Sequence, residues 1–425
     1  MHDRSSHSPA RSAPTHSSQS PPTVTRRATH TRRRLLLGGA GLAFAALLRA
    51  PRPVRAAPSS CGTAPSEPLP FAPPPHEPAA GGSPRRIELD GAAYRYQYLV
   101  DGQPMRVHGM GYNPREHEPT VAERQARLRR DFALMARARV NTVFGWDPAH
   151  FDRLTLDAAE EAGLGVAPPF DLDFRIDYRD WRNRAQLLEL VAAWVERYRR
   201  HPAVRLWAIG NEAFQRTVPP SWCDTGPSDD AAERAAALAR SIIDAADEAH
   251  RIDPHHPVIY RASEDSYASW IAEALRARPA ARPWFVYGVN AYTPRLEQIL
   301  ASWPERGIDA AMLVSEFALL GVEPGRRAEA FANLWSTIQA YPEYVIGGAV
   351  YVWYTEGPEE VDREFGLVDR EGRPVDDALE ALGRLYAQDG PVYGPPMPQS
   401  RKGRGASALQ HVSGSSGQDA RARAP

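Results

Sequence analysis

An alternation of short apolar runs with longer amphipathic segments constrains the fold of this chain more than any other feature. Eight apolar runs have the length of strands, at residues 105–112, 141–146, 165–170, 204–210, 257–262, 285–292, 311–317 and 347–354. Segments with helical periodicity lie between them, at residues 123–139, 151–162, 184–200, 231–250, 267–278 and 326–341. Continuous apolar strands are typical of a parallel sheet buried on both faces, and strand–helix alternation indicates βαβ units. The pattern predicts an α/β fold, a single (β/α)8 TIM barrel.

Two further features bear on this prediction. An open, doubly wound sheet would give the same alternation, but no glycine-rich phosphate loop follows any of the eight runs. Ahead of the first run, residues 94–100 have the pattern of a strand, and Asp101-Gly102 after them is typical of a tight turn. We therefore expect a short N-terminal β-hairpin that caps the bottom of the barrel.

Composition divides the chain into four parts. Residues 1–56 carry paired arginines (TRRRLLL), a short apolar stretch and small residues before position 57, which resemble a twin-arginine export signal. Residues 57–85 predict a Pro-rich linker and residues 395–425 a disordered tail, which leaves 86–394 for the barrel. The predicted location is periplasmic or extracellular, without stable membrane insertion once the signal is cleaved. An uncut N-terminal anchor is the alternative.

The charge distribution and the cysteines limit the partners. Residues 1–56 hold ten arginines and one aspartate, so with a formal net charge of −1 the rest of the chain carries about −10. Such a surface is unsuited to nucleic acid, whose affinity depends on neutralised phosphates. Cys61 and Cys223 have no companions at metal-ligand spacing, and the histidines are scattered, so neither a metal nor another cofactor is expected. Lipidation of Cys61 is an alternative that its flanking residues match poorly. Nothing indicates an oligomer, and we expect a monomer.

Polar residues end several of the predicted strands. The fourth run, in LWAIGNEAF, ends in Asn211-Glu212, and the seventh ends in Ser315-Glu316. In (β/α)8 barrels the carboxyl ends of the strands form the active site. One glutamate at such a position usually only complements the dipole of the next helix. Two of them, on opposite sides of a barrel mouth, form the pair of carboxyl groups that glycoside hydrolysis requires.

Residues 97–386 resemble the catalytic barrel of glycoside hydrolase clan A, nearest the family 2 type. The resemblance rests on YLVDGQPMRVHGMGYNP, ARVNTVFGWDP, HPAVRLWAIGNE, MLVSEF and FGLVDREGRPVDDALEAL. The chain is also similar to family 5 barrels and to β-1,3-glucanosyltransferase barrels. The resemblance implies a retaining β-glycosidase, and together with the export signal it predicts an exported enzyme that hydrolyses an oligo- or polysaccharide. A transglycosylase of the same geometry and a non-catalytic carbohydrate-binding barrel are the alternatives.

The resemblance also implies roles for single residues. Glu212 would be the general acid/base and Glu316 the nucleophile, with a separation of about 5 Å between the carboxyl groups. Tyr292 would donate a hydrogen bond to Glu316, and Asn211 would bind the sugar 2-hydroxyl. Trp353, at the end of the eighth run, would form the floor under the sugar.

Three more residues are predicted at the mouth from their positions alone. Trp146 and Tyr112 end the second and first runs and are interpreted as further walls of the sugar site. Asp171, in the loop after the third run, is expected to bind sugar hydroxyls or to begin a helix.

One departure from the clan pattern concerns the nucleophile. Many clan A barrels place an arginine at the end of strand two, where this chain has Phe144-Gly145-Trp146. We expect Arg261 or Arg175 to support Glu316 instead.

Overall fold

The computed structural model describes residues 85–114, 120–173, 175–217, 229–264 and 267–389. The predicted export signal, the predicted tail, residues 57–84 of the predicted linker and both cysteines lie outside this range. Within it, no helix has the length and apolar character needed to cross a membrane.

A parallel sheet of nine strands forms the centre of the fold. The strands are β4 (Val107–Gly111), β5 (Thr142–Phe144), β6 (Gly165–Ala167), β7 (Pro169–Phe170), β8 (Trp207–Asn211), β9 (Val258–Ser263), β10 (Phe285–Ala291), β11 (Ala311–Phe317) and β12 (Val345–Val350). Their order in the sheet is β6-β5-β4-β12-β11-β10-β9-β8-β7.

The two ends of this sheet belong to one barrel strand. Only Pro168 separates β6 from β7, and a proline has no N–H for a strand ladder. β6 pairs with β5 and β7 pairs with β8, so the sheet closes on itself through this interrupted third strand. The predicted (β/α)8 barrel is confirmed.

Helices surround the barrel. In the described ranges they are α1 (Val121–Arg137), α2 (Arg153–Glu161), α3 (Trp181–Tyr198), α4 (Asp229–Ile252), α5 (Ala268–Arg276), α6 (Leu296–Ala301), α7 (Arg327–Gln339), α8 (Asp362–Phe365) and α9 (Ala378–Gln388). The six predicted helical segments are confirmed with somewhat different ends, while α6, α8 and α9 were not predicted. α1 begins where a capping box at Thr120 and Glu123 satisfies its first backbone donors.

An antiparallel sheet closes the amino-terminal end of the barrel. It consists of β1 (Ile87–Ala92), β2 (Arg95–Val100) and β3 (Gln103–Pro104). The Ile87 N–H donates to the His255 carbonyl and the Tyr96 N–H donates to the Glu343 carbonyl. Since residues 255 and 343 precede β9 and β12, the sheet lies at the bottom of the barrel, as predicted, with β1 as an additional strand.

The eighth barrel strand differs from its prediction of 347–354. It begins at Val345 and ends at Val350, and the next residues leave the sheet. The Trp353 N–H donates to the Gly111 carbonyl, and the Tyr354 N–H donates to the Asn113 side chain. The apolar run therefore continues past the strand because these residues pack against the segment that follows β4.

Candidate active site

A left-handed turn brings Asn211 and Glu212 to the mouth of the barrel. Gly210 has a φ of +71° and a Cβ there would lie 2.7 Å from Leu172, so glycine fits this position on both counts. Glu212 follows with a φ of +50°, a conformation that is costly for a residue with a side chain. Its N–H donates to the Arg261 carbonyl, which fixes the turn against β9. Glu212 itself is half-buried.

Glu316 is enclosed at the end of β11, with 4% of its surface exposed. The Trp146 indole N–H donates to its Oε1 at 2.7 Å, and the Tyr292 hydroxyl donates to its Oε2. The Arg261 Nη1 lies 4.0 Å from Oε1. Burial raises the pKa of the Glu316 carboxyl, and the Arg261 charge and the hydrogen bonds from Tyr292 and Trp146 counter that rise.

The Asn290 amide binds Glu212 beside Glu316. Its Nδ2 donates to Glu212 Oε1 at 3.0 Å and to Asn211 Oδ1 at 3.2 Å. The Ser315 hydroxyl donates to Asn290 Oδ1 at 2.7 Å and so fixes which end of the amide faces Glu212. Asn290 lies opposite Glu316 in the register of β10 and β11, and it also counters the rise in the pKa of that carboxyl. The spacing of about 5 Å between the two carboxyl groups stays a prediction.

Asn290 was not among the predicted site residues, although the sequence contains a signal for it. Alternate residues of a strand point to the same side, and Asn290 stands two positions before Tyr292 in an otherwise apolar run. It is 1% exposed, and a buried amide needs partners. Those partners are Glu212, Asn211 and Ser315.

Arg261 crosses from β9 towards the end of the second barrel strand. Its Nη2 donates to the Gly145 carbonyl at 2.7 Å, and its guanidinium lies 5.9 Å from the centre of the Trp146 ring. Burial lowers the pKa of Arg261, and the negative charge of Glu316 counters that shift. Arg175, the other candidate, is exposed and paired with Asp173 at 2.6 Å. Of the two expected supports, the structure brings Arg261 to Glu316.

The structure buries two of the predicted sugar contacts, the wall residue Tyr112 and the floor residue Trp353. Tyr112 is 1% exposed, and its hydroxyl donates to Asp131 of α1 at 2.9 Å, so it faces the helix layer. Trp353 is 0% exposed and packs in the main core. The reason in the second case is that β12 ends at Val350, so strand alternation no longer decides where residue 353 points.

Other aromatic side chains occupy the places near Glu316. Trp146, expected as a wall, is half-buried, and its indole N–H donates to the Glu316 carboxylate. Tyr351 was not predicted. Its ring lies 5.3 Å from that of Trp146 and 5.4 Å from that of Tyr292.

Asp171 lies at the rim. It follows β7, is exposed, and is close enough for its charge to raise the pKa of Arg261. The neighbouring Asp173 is taken up by Arg175. In the part of the chain that the structure describes, no three His, Cys, Asp or Glu side chains are grouped as metal ligands.

Comparisons with known proteins agree with the architecture. No protein-family model matches the chain. A β-galactosidase from Vibrio cholerae serotype O1 is 29% identical over 147 residues, which are 30% of this chain and 14% of that protein.

Solved structures with a similar fold include three bacterial enzymes. A β-D-glucuronidase from Dictyoglomus thermophilum has a TM-score of 0.51 and 17% identity, over 73% of this chain and 54% of that chain. A GH2 β-galacturonidase from Eisenbergiella tayi has a TM-score of 0.52 and 15% identity, over 73% and 55%. A β-glucuronidase from Bacteroides uniformis has a TM-score of 0.55 and 15% identity, over 72% and 37%. The chain thus spans about half of these structures or less, and at such identities the likeness shows the fold.

Proposed function

We propose that this chain is a retaining glycoside hydrolase that cleaves β-glycosidic bonds of an oligo- or polysaccharide through a covalent glycosyl-enzyme. The observation that carries the proposal is that Glu212 and Glu316 meet at Asn290, which donates to Glu212 and lies opposite Glu316 in the sheet, while the two carboxyl groups have different surroundings. Two carboxyl groups with different tasks are what this reaction requires. The names of the similar proteins, a β-galactosidase, a β-glucuronidase and a β-galacturonidase, support the same class of reaction.

Glu316 is assigned the role of nucleophile. Hydrogen bonds from Trp146 and Tyr292 reach both of its oxygens, and Arg261 supplies a positive charge nearby. These groups favour the ionised carboxylate against the effect of burial. In the first step one oxygen of Glu316 bonds to the anomeric carbon as the bond to the leaving oxygen breaks.

Glu212 is assigned the role of general acid and base. Its half-buried position at the mouth gives it access to the leaving group, which the enclosed Glu316 lacks. Glu212 gives its proton to the leaving oxygen in the first step. In the second step it takes a proton from water, the water oxygen bonds to the anomeric carbon, and Glu316 is released as a carboxylate.

Asn211 and Asp171 are assigned to substrate binding. Asn211 lies beside Glu212 and accepts from Asn290, which leaves its own amide N–H groups for a sugar hydroxyl. A hydrogen bond to the 2-hydroxyl strengthens in the oxocarbenium-like transition state. Asp171, exposed at the rim, would bind hydroxyls farther from the bond that breaks.

A product profile by mass spectrometry tests this function. The purified full-length chain is incubated with β-glucans, β-mannans, β-xylans and aryl β-galactosides and β-glucuronides, with Glu316→Gln as the matched inactive variant. We expect shorter products from at least one substrate and none from the variant. Products longer than the substrate would show that the enzyme transfers the sugar to another sugar and does not simply hydrolyse the bond. Sugar that binds to wild type and variant alike without being cleaved would contradict an enzymatic role.

A further inference from the structure

Tyr351 lies between the two side chains that hydrogen-bond to Glu316. Its ring makes edge-to-face contacts with Trp146, at 5.3 Å and 76°, and with Tyr292, at 5.4 Å and 85°. Trp146 donates to one carboxylate oxygen of Glu316 and Tyr292 to the other. A shift of the Tyr351 ring would therefore disturb both donors at once, because closely packed rings transmit displacement.

Asp362 fixes the hydroxyl end of the Tyr351 side chain. The Tyr351 hydroxyl donates to Asp362 Oδ1 at 2.7 Å, and the Glu359 N–H donates to Asp362 Oδ2 at 3.0 Å. Asp362 is 0% exposed, so these two donors act on it away from water. A buried carboxylate with a donor on each oxygen is fixed in position, and so is the phenol that it binds.

The loop that carries both residues is itself anchored. Tyr351 follows β12 directly and Asp362 begins α8. Arg327 of α7 donates to the carbonyls of Phe365 and Gly366 at 2.9 Å each, so the end of α8 is hydrogen-bonded to the surrounding helix layer. The position of the Tyr351 ring is thus determined by contacts outside the mouth.

We propose that Tyr351 and Asp362 form one positioning unit, which holds Trp146 and Tyr292 in the arrangement where both donate to Glu316. The unit acts on the nucleophile through those two donors and makes no bond to Glu316 itself. The proposal rests on the proposed function for its catalytic meaning, while the geometry that it claims can be measured without a substrate.

The charges around Glu316 determine how the unit can be detected. Arg261 faces Glu316 from β9, Tyr292 faces it from the residue after β10, and Glu212 lies after β8. Loosening the donors removes hydrogen bonds to the ionised form, so the pKa of Glu316 rises further. Removing the Asp362 charge alone has the opposite direct effect, because a nearby negative charge disfavours ionisation of a carboxyl group. The direction of the shift therefore separates positioning from simple electrostatics.

An NMR titration of the Trp146 indole N–H provides the test. The signal is assigned by its loss in Trp146→Phe, and its pH dependence reports the ionisation of the Glu316 carboxylate to which it donates. In the full-length chain, Tyr351→Phe and Asp362→Ala should each move the midpoint to higher pH. The double variant should lie no higher than the larger single effect, because the two residues act together.

Tyr354→Phe is the matched control. Tyr354 is a nearby buried tyrosine that donates to a buried aspartate, Asp131, but its ring contacts Tyr112 and Trp353. The Tyr354→Phe substitution should lower the free energy of unfolding and leave the midpoint of the Trp146 titration unchanged. A midpoint unchanged in Tyr351→Phe, or lowered in Asp362→Ala, overturns the proposal.

Kinetics on any cleaved substrate complete the test. Tyr351→Phe should lower kcat/KM by roughly tenfold at acidic pH and less at neutral pH, where more of Glu316 is ionised. If no substrate is cleaved, the proposed function fails while the titration still decides the positioning claim. If cleavage occurs and the midpoint does not move, the positioning claim alone fails.

Discussion

At the scale of single residues, the environment of each glutamate explains the division of labour proposed for the pair. Glu316 is enclosed and receives hydrogen bonds on both oxygens, whereas Glu212 is half-buried on a left-handed turn at the mouth. The cation beside the nucleophile comes from β9, and it reaches the end of the second barrel strand through its bond to the Gly145 carbonyl. The long Arg261 side chain on β9 therefore places its charge near the end of the second barrel strand, although the two strands are not neighbours in the sheet.

Replacing Arg261 should shift the acidic limb of the activity profile. The Arg261 charge lowers the pKa of Glu316, and a nucleophile must be ionised, so Arg261→Met should move the acidic limb of kcat/KM to higher pH. Arg261→Lys keeps a charge but loses the planar contact with Trp146, and should give a smaller shift in the same direction. The measurement is the pH dependence of kcat/KM for both variants. An acidic limb of kcat/KM that does not move in Arg261→Met would contradict a role for Arg261 in keeping Glu316 ionised.

At the scale of strands and loops, sequence periodicity predicts the barrel elements and fails where the strands end. The apolar runs predicted the barrel strands, because a parallel sheet buries both faces of each strand. Asn290 lies in β10 and Tyr292 directly follows it, two positions on, so strand alternation still relates the two side chains. Trp353 and Tyr351 lie beyond β12, where tertiary contacts decide direction. The sequence therefore did not predict that Tyr351 lies beside Trp146 and Tyr292.

Removing the Tyr112 hydroxyl should affect stability and leave substrate binding alone. Tyr112 and Tyr354 both donate to the buried Asp131 of α1, so we expect neither hydroxyl to contact the sugar. Tyr112→Phe should lower the free energy of unfolding by about 1 kcal/mol, the usual worth of one hydrogen bond, with kcat and KM unchanged. Asp131→Ala should cost roughly 3 kcal/mol, because it breaks a buried charged network.

Urea unfolding together with steady-state kinetics measures both effects. An increase in KM for Tyr112→Phe at unchanged stability would return Tyr112 to the sugar site and contradict its place in the helix layer.

At the scale of the whole molecule, barrel closure is what makes a site from distant parts of the sequence. Glu212 and Glu316 are separated by 104 positions, and they meet because β8 and β11 end at the same face. Between them, β10 places Asn290 opposite Glu316 with its amide on Glu212. This meeting was predictable from strand number alone. The identity of the sugar was not, because it depends on loops whose conformations no periodicity encodes.

The central claim, that Glu316 is the nucleophile of a retaining enzyme, is tested most directly by trapping the glycosyl-enzyme. The full-length chain is incubated with activated 2-deoxy-2-fluoro-β-glycosides of glucose, galactose, mannose, xylose and glucuronic acid, and its peptides are analysed by mass spectrometry. We expect one sugar per chain, on the peptide that contains MLVSEF and at Glu316, and no adduct in Glu316→Gln. Turnover of the matching unmodified glycoside with no adduct, or with an adduct on another residue, would contradict the claim.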